Sequence, residues 1–372
     1  MSGPLVLAIE SSCDETGIAL VEGGRTIRAN VVASQVAVHA ATGGIVPEVA
    51  ARAHLRWILP VLDEAWSDAG VDWSDVDGVA VTYGPGLAGS LLVGINVAKT
   101  LAWVHEKPLI GVNHLEGHIY AAWLEDGSRA DHPAALTGSR SLDASRSLDD
   151  EPIEFPVTAL VVSGGHTFLV EMSEHLTYRL LGQTVDDAAG EAFDKVGRLL
   201  GLGYPGGPAI SRAAEGALRR DVVFPRAWLG DSFDFSFSGL KTAARRVIAA
   251  SRAEEGLPDD PEARLSDAAT AELAWGFQDS VVDVLATKTI RAAEEFEART
   301  IVLGGGVAAN AALRARLAGD ARSRGVRLVI PRPALCTDNG AMIGAAGCRR
   351  LAAGERAPED IDARPSLPLA TR

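Results

Sequence analysis

The chain has 372 residues, 47% of them hydrophobic, and a formal net charge of −14. This length points to two domains, and the apolar fraction permits a large core. The acidic balance, with a pI near 5.1, argues against a general nucleic-acid coat or a protein of anionic membrane surfaces, while leaving room for RNA binding through local basic patches.

In chain order, residues 5–9 form a short apolar strand that ends at Glu10, and residues 17–21 a second strand. Residues 26–38 read as a third strand after the Gly23-Gly24 turn. Apolar positions at helical spacing predict a helix over 47–69. A buried strand at 76–82 closes at Gly84-Pro85-Gly86 and leads to a helix over 90–104. That helix carries Lys99 and glycines, which makes it a core helix and no membrane span. A strand at 109–112 runs straight into a helix bearing His114 and His118.

Residues 125–154 change character: Ser139-Arg-Ser-Leu-Asp143 is echoed by Ser145-Arg-Ser-Leu-Asp149. So little apolar surface predicts a flexible insertion over about 126–153. The pattern then restarts with strands at 157–162 and 167–172 around Ser163-Gly164-Gly165-His166. Helices follow over 186–200, 209–219, 238–251 and 267–299. A strand at 301–303, a helix over 310–317, a strand at 326–330 and a Gly/Ala-rich helix over 338–351 complete the chain. Two halves that each open with a strand–turn–strand predict a duplicated α/β domain with a cleft beyond the strand ends.

Three scattered cysteines, Cys13, Cys336 and Cys348, are too few for a disulfide framework and fit a reducing cytoplasm. No basic segment precedes the first apolar run, so the expectation is a cytoplasmic protein without a leader.

The pair His114 and His118 is the strongest chemical signal. Four residues apart on a helix, both imidazoles face one metal ion. A zincin protease needs glutamate directly after its first histidine; here Leu115 stands there, and Glu116 points to another face. A carboxylate elsewhere would complete the site, and Asp338 is a candidate, although by itself it reads as a helix N-cap. Two histidines and one carboxylate suit a Lewis-acid Zn(II) or Fe(II). Polar, glycine-rich turns at 10–17, 163–167 and 304–310 follow apolar strands and together point to a nucleotide cleft. On a helix Asp187, Glu191 and Asp194 would share a face, an unfavourable crowding without cations or a ligand. The basic residues Arg212, Arg219, Arg220, Arg226, Lys241, Arg245, Arg246 and Arg252 read mostly as solvated helix faces.

Taken together, IESSCDETGI at 9–18, GPGLAGSLLVG at 84–94, NHLEGHIY at 113–120, LVVSGGHT at 160–167, DDAAGEAFDK at 186–195, YPGGP at 204–208, DFSFSGLKT at 234–242 and CTDNGA at 336–341 closely resemble one family. It is the tRNA adenosine threonylcarbamoyltransferases (TsaD family), formerly labelled O-sialoglycoprotein endopeptidases. The resemblance covers nearly the whole chain outside the insertion. It implies the actin-like ATPase (ASKHA, RNase H-like) fold, with two duplicated lobes around a central nucleotide cleft. The lobes are expected at 1–116 plus 340–372 and at 117–339.

The implied reaction moves a threonylcarbamoyl group from threonylcarbamoyl-AMP to the N6 amine of the adenosine beside the anticodon, position 37, in tRNAs reading codons that begin with adenine. By the same resemblance His114, His118 and Asp338 hold one divalent metal, Fe(II) before Zn(II). Val161, Val162, Ser163, Gly164, Gly165, Asp194, Gly207 and Asn310 bind the adenylate. Some relatives carry an acidic substrate ligand where Ser211 stands. Asp14 or Glu15 is the candidate acceptor of the amine proton. Implied partners are tRNA, a TsaB-type inactive paralogue and a TsaE-type ATPase. A sugar kinase or chaperone-like ATPase of the same fold, a metalloprotease and a nucleotide-binding scaffold are the alternatives.

Overall fold

The computed structural model describes residues 3–40, 44–126, 152–260 and 262–369. Two mixed sheets carry the architecture. In the first, β1 (Leu5–Glu10), β2 (Glu15–Glu22) and β3 (Thr26–Ser34) form an antiparallel meander, while β4 (Gly78–Gly84) and β5 (Leu109–Asn113) add in parallel beside β1. With the short β6 (Glu125–Asp126) the order is β5-β4-β1-β2-β3-β6. The second sheet repeats the plan. There β7 (Val157–Val162), β8 (Thr167–Glu174) and β9 (Thr177–Gln183) form the meander, and β10 (Thr300–Gly304) and β11 (Arg327–Val329) are the parallel strands. Its order is β11-β10-β7-β8-β9, so the duplication expected from sequence is present.

Helices cover both sheets and fill the space between them. On the first sheet's outer side lie α2 (Pro47–Ala69) and α3 (Ala88–Val104), after a short α1 (Val36–Ala40). Between the sheets lie α4 (His114–Tyr120) and, after the short α10 (Pro333–Cys336), α11 (Gly340–Ala352). The second lobe is completed by α5 (Ala189–Leu199), α6 (Gly206–Ala214), α7 (Ser238–Glu254), α8 (Asp267–Glu295) and α9 (Ala311–Ser323).

This layering explains why β1 and β7 read as unbroken apolar runs. Alternate side chains point to opposite faces, and both faces are covered. Leu7 and Ile9 pack against Ile58 and Leu91 of the outer helices. Val6 and Ala8 face the central layer of Ile119, Met342 and Ile343, which Val157, Ala159 and Val161 meet from the other sheet. Leu160 and Val162 turn outward to the core containing Phe277 and Val281. Gly340 is required by this layering: a Cβ there would stand 2.6 Å from Ala19 N, so only glycine lets α11 lie this close to β2.

Several boundaries differ from the periodicity, three of them with a cause visible in the hydrogen bonds. The third strand stops at Ser34, because Gln35 turns inward and its amide donates to Asp14 O at 3.0 Å. The helix expected over 186–200 begins at Ala189. Asp186 sits outside it, accepting from Phe237 N at 2.8 Å and Ser236 Oγ at 2.6 Å before α7. The helix expected over 209–219 begins at Gly206 and ends at Ala214. Its continuation is blocked by Glu272, whose carboxylate takes the amides of Leu218, Arg219 and Arg220. The insertion expected over 126–153 lies almost wholly outside the described residues. Among the described residues no helix is long and apolar enough to cross a membrane.

One buried cation organises the loop before α7. Lys288 is 1% exposed and donates to the carbonyls of Trp228, Ser232 and Asp234 at 2.7, 2.6 and 2.6 Å. Lys288→Met leaves three carbonyls without that donor, and the expected loss is about 2–4 kcal/mol of unfolding free energy. The urea midpoint measures it; an unchanged midpoint would show that the loop holds itself.

Candidate active site

The site begins where β1 ends. Glu10 is fully buried and accepts from Ser12 N and Thr82 Oγ1, both at 2.6 Å. Its Oε2 stands 3.2 Å from His114 Nδ1, and Ser12 Oγ lies 3.1 Å from the same nitrogen. The parallel neighbour β5 delivers His114 directly into α4. Asn113 caps that helix, its Oδ1 accepting from Leu115 N at 2.9 Å. Both histidines therefore enter the space between the sheets, with ring centroids 4.7 Å apart.

Asp338 arrives from the opposite direction. It does not cap α11, as its position alone suggested: Asn339 does, its Oδ1 accepting from Met342 N at 3.0 Å. The Asp338 carboxylate is left for the cleft. Its Oδ1 stands 3.7 Å from His114 Nε2 and 3.2 Å from His118 Nε2. One donor atom from each of the three residues lies within 4.8 Å of the others. Close approach of the second sheet requires Gly304, where a Cβ would stand 2.6 Å from His118 O.

The three donors fit a divalent metal. Ligands about 2.1 Å from a shared ion stand roughly 3–4 Å apart. His118 Nδ1 is buried without a hydrogen-bond partner and Nε2 faces only the Asp338 carboxylate at 3.2 Å, an expensive state for an imidazole that nothing else completes. Burial disfavours charge on His114, but the Asp338 and Glu10 carboxylates outweigh it and raise its pKa to about 9. Asp338 is held below the ordinary carboxylate range: burial opposes ionisation, yet His114 and His118 outweigh it. Glu10 behind Nδ1 is the outer partner that orients a metal-binding imidazole. Sequence reading passed over Glu10 as a strand terminus; its place at the end of an apolar run, where a carboxylate is costly to bury, was the available signal.

The loop between β1 and β2 carries Asp14, and the start of β2 carries Glu15, toward Asp338. Burial, then the Asp338 and Asp14 carboxylates, push Glu15 up to about 10. His54 steadies this loop, with Nδ1 2.8 Å from Thr16 Oγ1 and Nε2 3.0 Å from Cys13 O.

Across the cleft, Val161 and Val162 are buried strand residues, and Ser163, Gly164 and Gly165 form the turn that follows. The two glycines are exposed, and no atom lies within 4 Å of where a Cβ would stand; ligand atoms can therefore approach their backbone. His166 completes the turn with its ring 6.1 Å from His114. Burial and the neighbouring His114 and His118 lower its pKa to about 4. It was not among the sequence candidates; the signal was an imidazole directly after the glycine pair at a strand end.

Asp194 and Asn310 have structural duties in this wall. Asp194 Oδ1 accepts from Gly206 N at 2.7 Å and so anchors the start of α6, which carries Gly207. Asn310 caps α9 through Leu313 N at 3.0 Å and donates to Gln278 at 2.8 Å. Ser211 is a half-buried residue of α6. The shared helix face expected for Asp187, Glu191 and Asp194 does not form, because Asp187 precedes the helix. Lysines relieve the crowding: Asp187 meets Lys195 at 3.0 Å and Lys241 at 3.1 Å, and Glu191 meets Lys195 at 2.7 Å.

Residues 26–139 and 141–345 match the family described as "TsaD: tRNA N6-adenosine threonylcarbamoyltransferase". The chain is 53% identical over 378 aligned residues to a protein of that name from Thermomicrobium roseum, covering 99% of this chain and 98% of the other. To the Bacillus subtilis protein of that name it is 47% identical, with coverages of 98% and 95%. Among solved structures, HypF from T. kodakarensis superposes with a TM-score of 0.58 at 12% identity, covering 95% of this chain and 48% of that one. At that identity the likeness speaks for the fold alone, which is the duplicated actin-like lobe pair. With the full length matched at this identity, the chain belongs to the tRNA N6-adenosine threonylcarbamoyltransferases, and it is a transferase of tRNA modification.

Proposed function

We propose that the protein transfers threonylcarbamoyl from threonylcarbamoyl-AMP to the N6 amine of adenosine 37 in tRNAs reading codons that begin with adenine. The observation that carries this reading is the convergence of His114, His118 and Asp338 at the mouth of a glycine-lined cleft. In the reaction the amine nitrogen bonds to the carbamoyl carbon, the bond from that carbon to the phosphate oxygen breaks, AMP leaves, and the amine gives up a proton. An acyl-adenylate is already activated, so orientation and charge stabilisation are the main tasks.

In this reading His114, His118 and Asp338 hold one divalent metal, Fe(II) before Zn(II). When bound, it supplies Lewis-acid polarisation of the carbamoyl carbonyl. Val161 to Gly165 bind the adenylate with Asp194, Gly207 and Asn310; Asp194 and Asn310 also fix the backbone at the starts of α6 and α9. Burial and the Asp338 and Asp14 carboxylates push the Glu15 pKa up, an effect that a nearby cation opposes; Asp14 and Glu15 are the two candidate acceptors of the amine proton. The target base lies in a single-stranded loop, so exposing it takes little energy. The acidic chain is proposed to work in the cytoplasm with a TsaB-type paralogue and a TsaE-type ATPase. Residues 1–116 with 340–372 and 117–339 are proposed as the two lobes.

The test is reconstitution of purified protein with these partners, a threonylcarbamoyl-AMP synthase, unmodified tRNA, threonine, bicarbonate and ATP. Mass spectrometry of the digested tRNA is expected to show threonylcarbamoyladenosine. No product with every partner verified active would overturn the reading.

A further inference from the structure

The basic stretch from Arg212 to Arg252 divides into two groups in the folded chain. Three of its members are occupied internally. Arg226 reaches Asp279 and lies 3.0 Å from Asp283; Lys241 meets Asp187; and Arg252, 3% exposed, donates to Leu199 O at 2.7 Å and Ala263 O at 3.1 Å. Arg212, Arg219, Arg220, Arg245 and Arg246 are exposed, and none makes an ion pair or a side-chain hydrogen bond with another described residue. A polyanion meeting a chain of net charge −14 needs such a local cationic field.

These arginines lie on elements that start at the cleft and run away from it. At the start of α5, a Cβ on Gly190 would stand 2.4 Å from Ser163 O, beside the proposed adenylate turn. Gly206 at the start of α6 is bonded to Asp194. Asp186, just before α5, caps the start of α7, and Arg252 at the far end of α7 reaches Leu199 at the far end of α5. Thus α5 and α7 leave the cleft side by side. At 1.5 Å per residue, Arg212 stands about 9 Å along α6, and Arg245 and Arg246 about 10–12 Å along α7.

The turn after α6 is preorganised. The Glu272 carboxylate accepts from three consecutive amides, Leu218 and Arg219 at 2.8 Å and Arg220 at 2.7 Å. Arg220 takes a left-handed φ of 57°, and its guanidinium lies over Trp275, 6.0 Å from the ring centroid. A tight, bonded turn is a rigid platform for two exposed charges, Arg219 beside the Glu272 carboxylate and Arg220 over Trp275, neither of them in an ion pair with another described residue.

We propose that Arg219 and Arg220, with Arg212 on the helix that leads into their turn, form the surface that grips the phosphate backbone of the tRNA whose adenosine enters the cleft. This rests on the proposed function and adds where the RNA lies: across the helical side of the second lobe. Phosphate contacts of this kind orient the RNA without reading its sequence. The role is positioning, because these side chains stand a helix length from the reacting atoms.

The test is Arg219→Ala/Arg220→Ala in the reconstituted reaction, with Arg299→Ala, an exposed arginine paired with Glu154, as control. The expected result is a rise of about tenfold in KM for tRNA and a shallower salt dependence, by roughly two in the log–log slope for two lost contacts. The KM for the adenylate, kcat and the control are expected to stay at wild-type values. An unchanged KM for tRNA, with an unchanged salt slope, overturns the surface while the proposed function stands. A defect cured by excess partner protein and not by excess tRNA overturns it too, since the arginines would then hold a protein. A wild-type reaction without product overturns both.

Discussion

His118→Ala is expected to abolish metal retention and to reduce threonylcarbamoyl transfer at least about 100-fold, since a lost ligand removes the Lewis acid along with its site. The metal-free protein is expected to keep nearly its full stability. In wild type His118 Nδ1 is buried without a hydrogen-bond partner, so alanine removes a desolvated polar group as well as ring contacts and the Nε2 approach to Asp338, and these effects oppose one another. Adding metal separates the two proteins. Wild type gains stability in proportion to the logarithm of free metal over its dissociation constant, whereas the variant gains none. Anaerobic metal analysis and thermal denaturation with and without Fe(II) or Zn(II) read both effects. A variant that retains wild-type metal content would remove His118 from the ligand set, and one that retains activity would remove the metal from the reaction.

The second large effect lies one helix face away. Glu116 holds the place next to the one where a zincin protease has its base, but it is fully buried on the side opposite the cleft. Tyr178 Oη donates to its Oε1 at 2.5 Å and Arg350 Nε to its Oε2 at 2.8 Å, while Arg350 also pairs with Glu355. This network ties α4 to the second sheet through β9 and to the end of α11. Burial and the Glu116 carboxylate keep the Tyr178 phenol protonated well above its usual range. Removing Glu116 leaves the half-buried Arg350 with Glu355 alone and the buried Tyr178 hydroxyl without its acceptor, at a cost of about 3 kcal/mol, the low end for breaking a buried pair.

Glu116→Leu is therefore expected to lower the unfolding free energy by about that amount, and Glu116→Leu/Arg350→Met to recover a large part of it. Because α4 carries both histidines, metal affinity is expected to fall with the single variant. Urea denaturation of the four proteins of the cycle, together with chelator competition, checks the argument. Strictly additive losses would show that the two side chains do not stabilise one another.

The particulars of Glu116 and Asp338 show where sequence reading ends. The i, i+4 histidine pair was legible because helical periodicity alone places the two rings together. The departure from the protease pattern was legible as well, since it needs only the identity of Leu115. That Glu116 anchors a helix between two sheets was not, because its partners lie 62 and 234 residues away. Asp338 read as a cap from its neighbours, and only the Asn339 bond to Met342 shows that another side chain took that duty. The crowded carboxylates from Asp186 to Asp194 were misplaced on one helix for a related reason. Propensity favoured an earlier start, while a contact with the start of α7 drew Asp186 out of it.

By itself the sequence determined the alternation of strands and helices, the duplicated halves, the histidine pair, the glycine turns and the family. All of these reside in local periodicity, in backbone freedom at named residues, or in motifs read along the chain. The tertiary structure decided which strand ends meet across the cleft, that Glu10 backs His114 from 104 residues away, and which arginines keep their charge free for a partner. The physical reason is that sheet order and the packing of α4 and α11 between two sheets set distances between residues remote in sequence. Such distances follow from burying several apolar faces at once, and no single segment carries them.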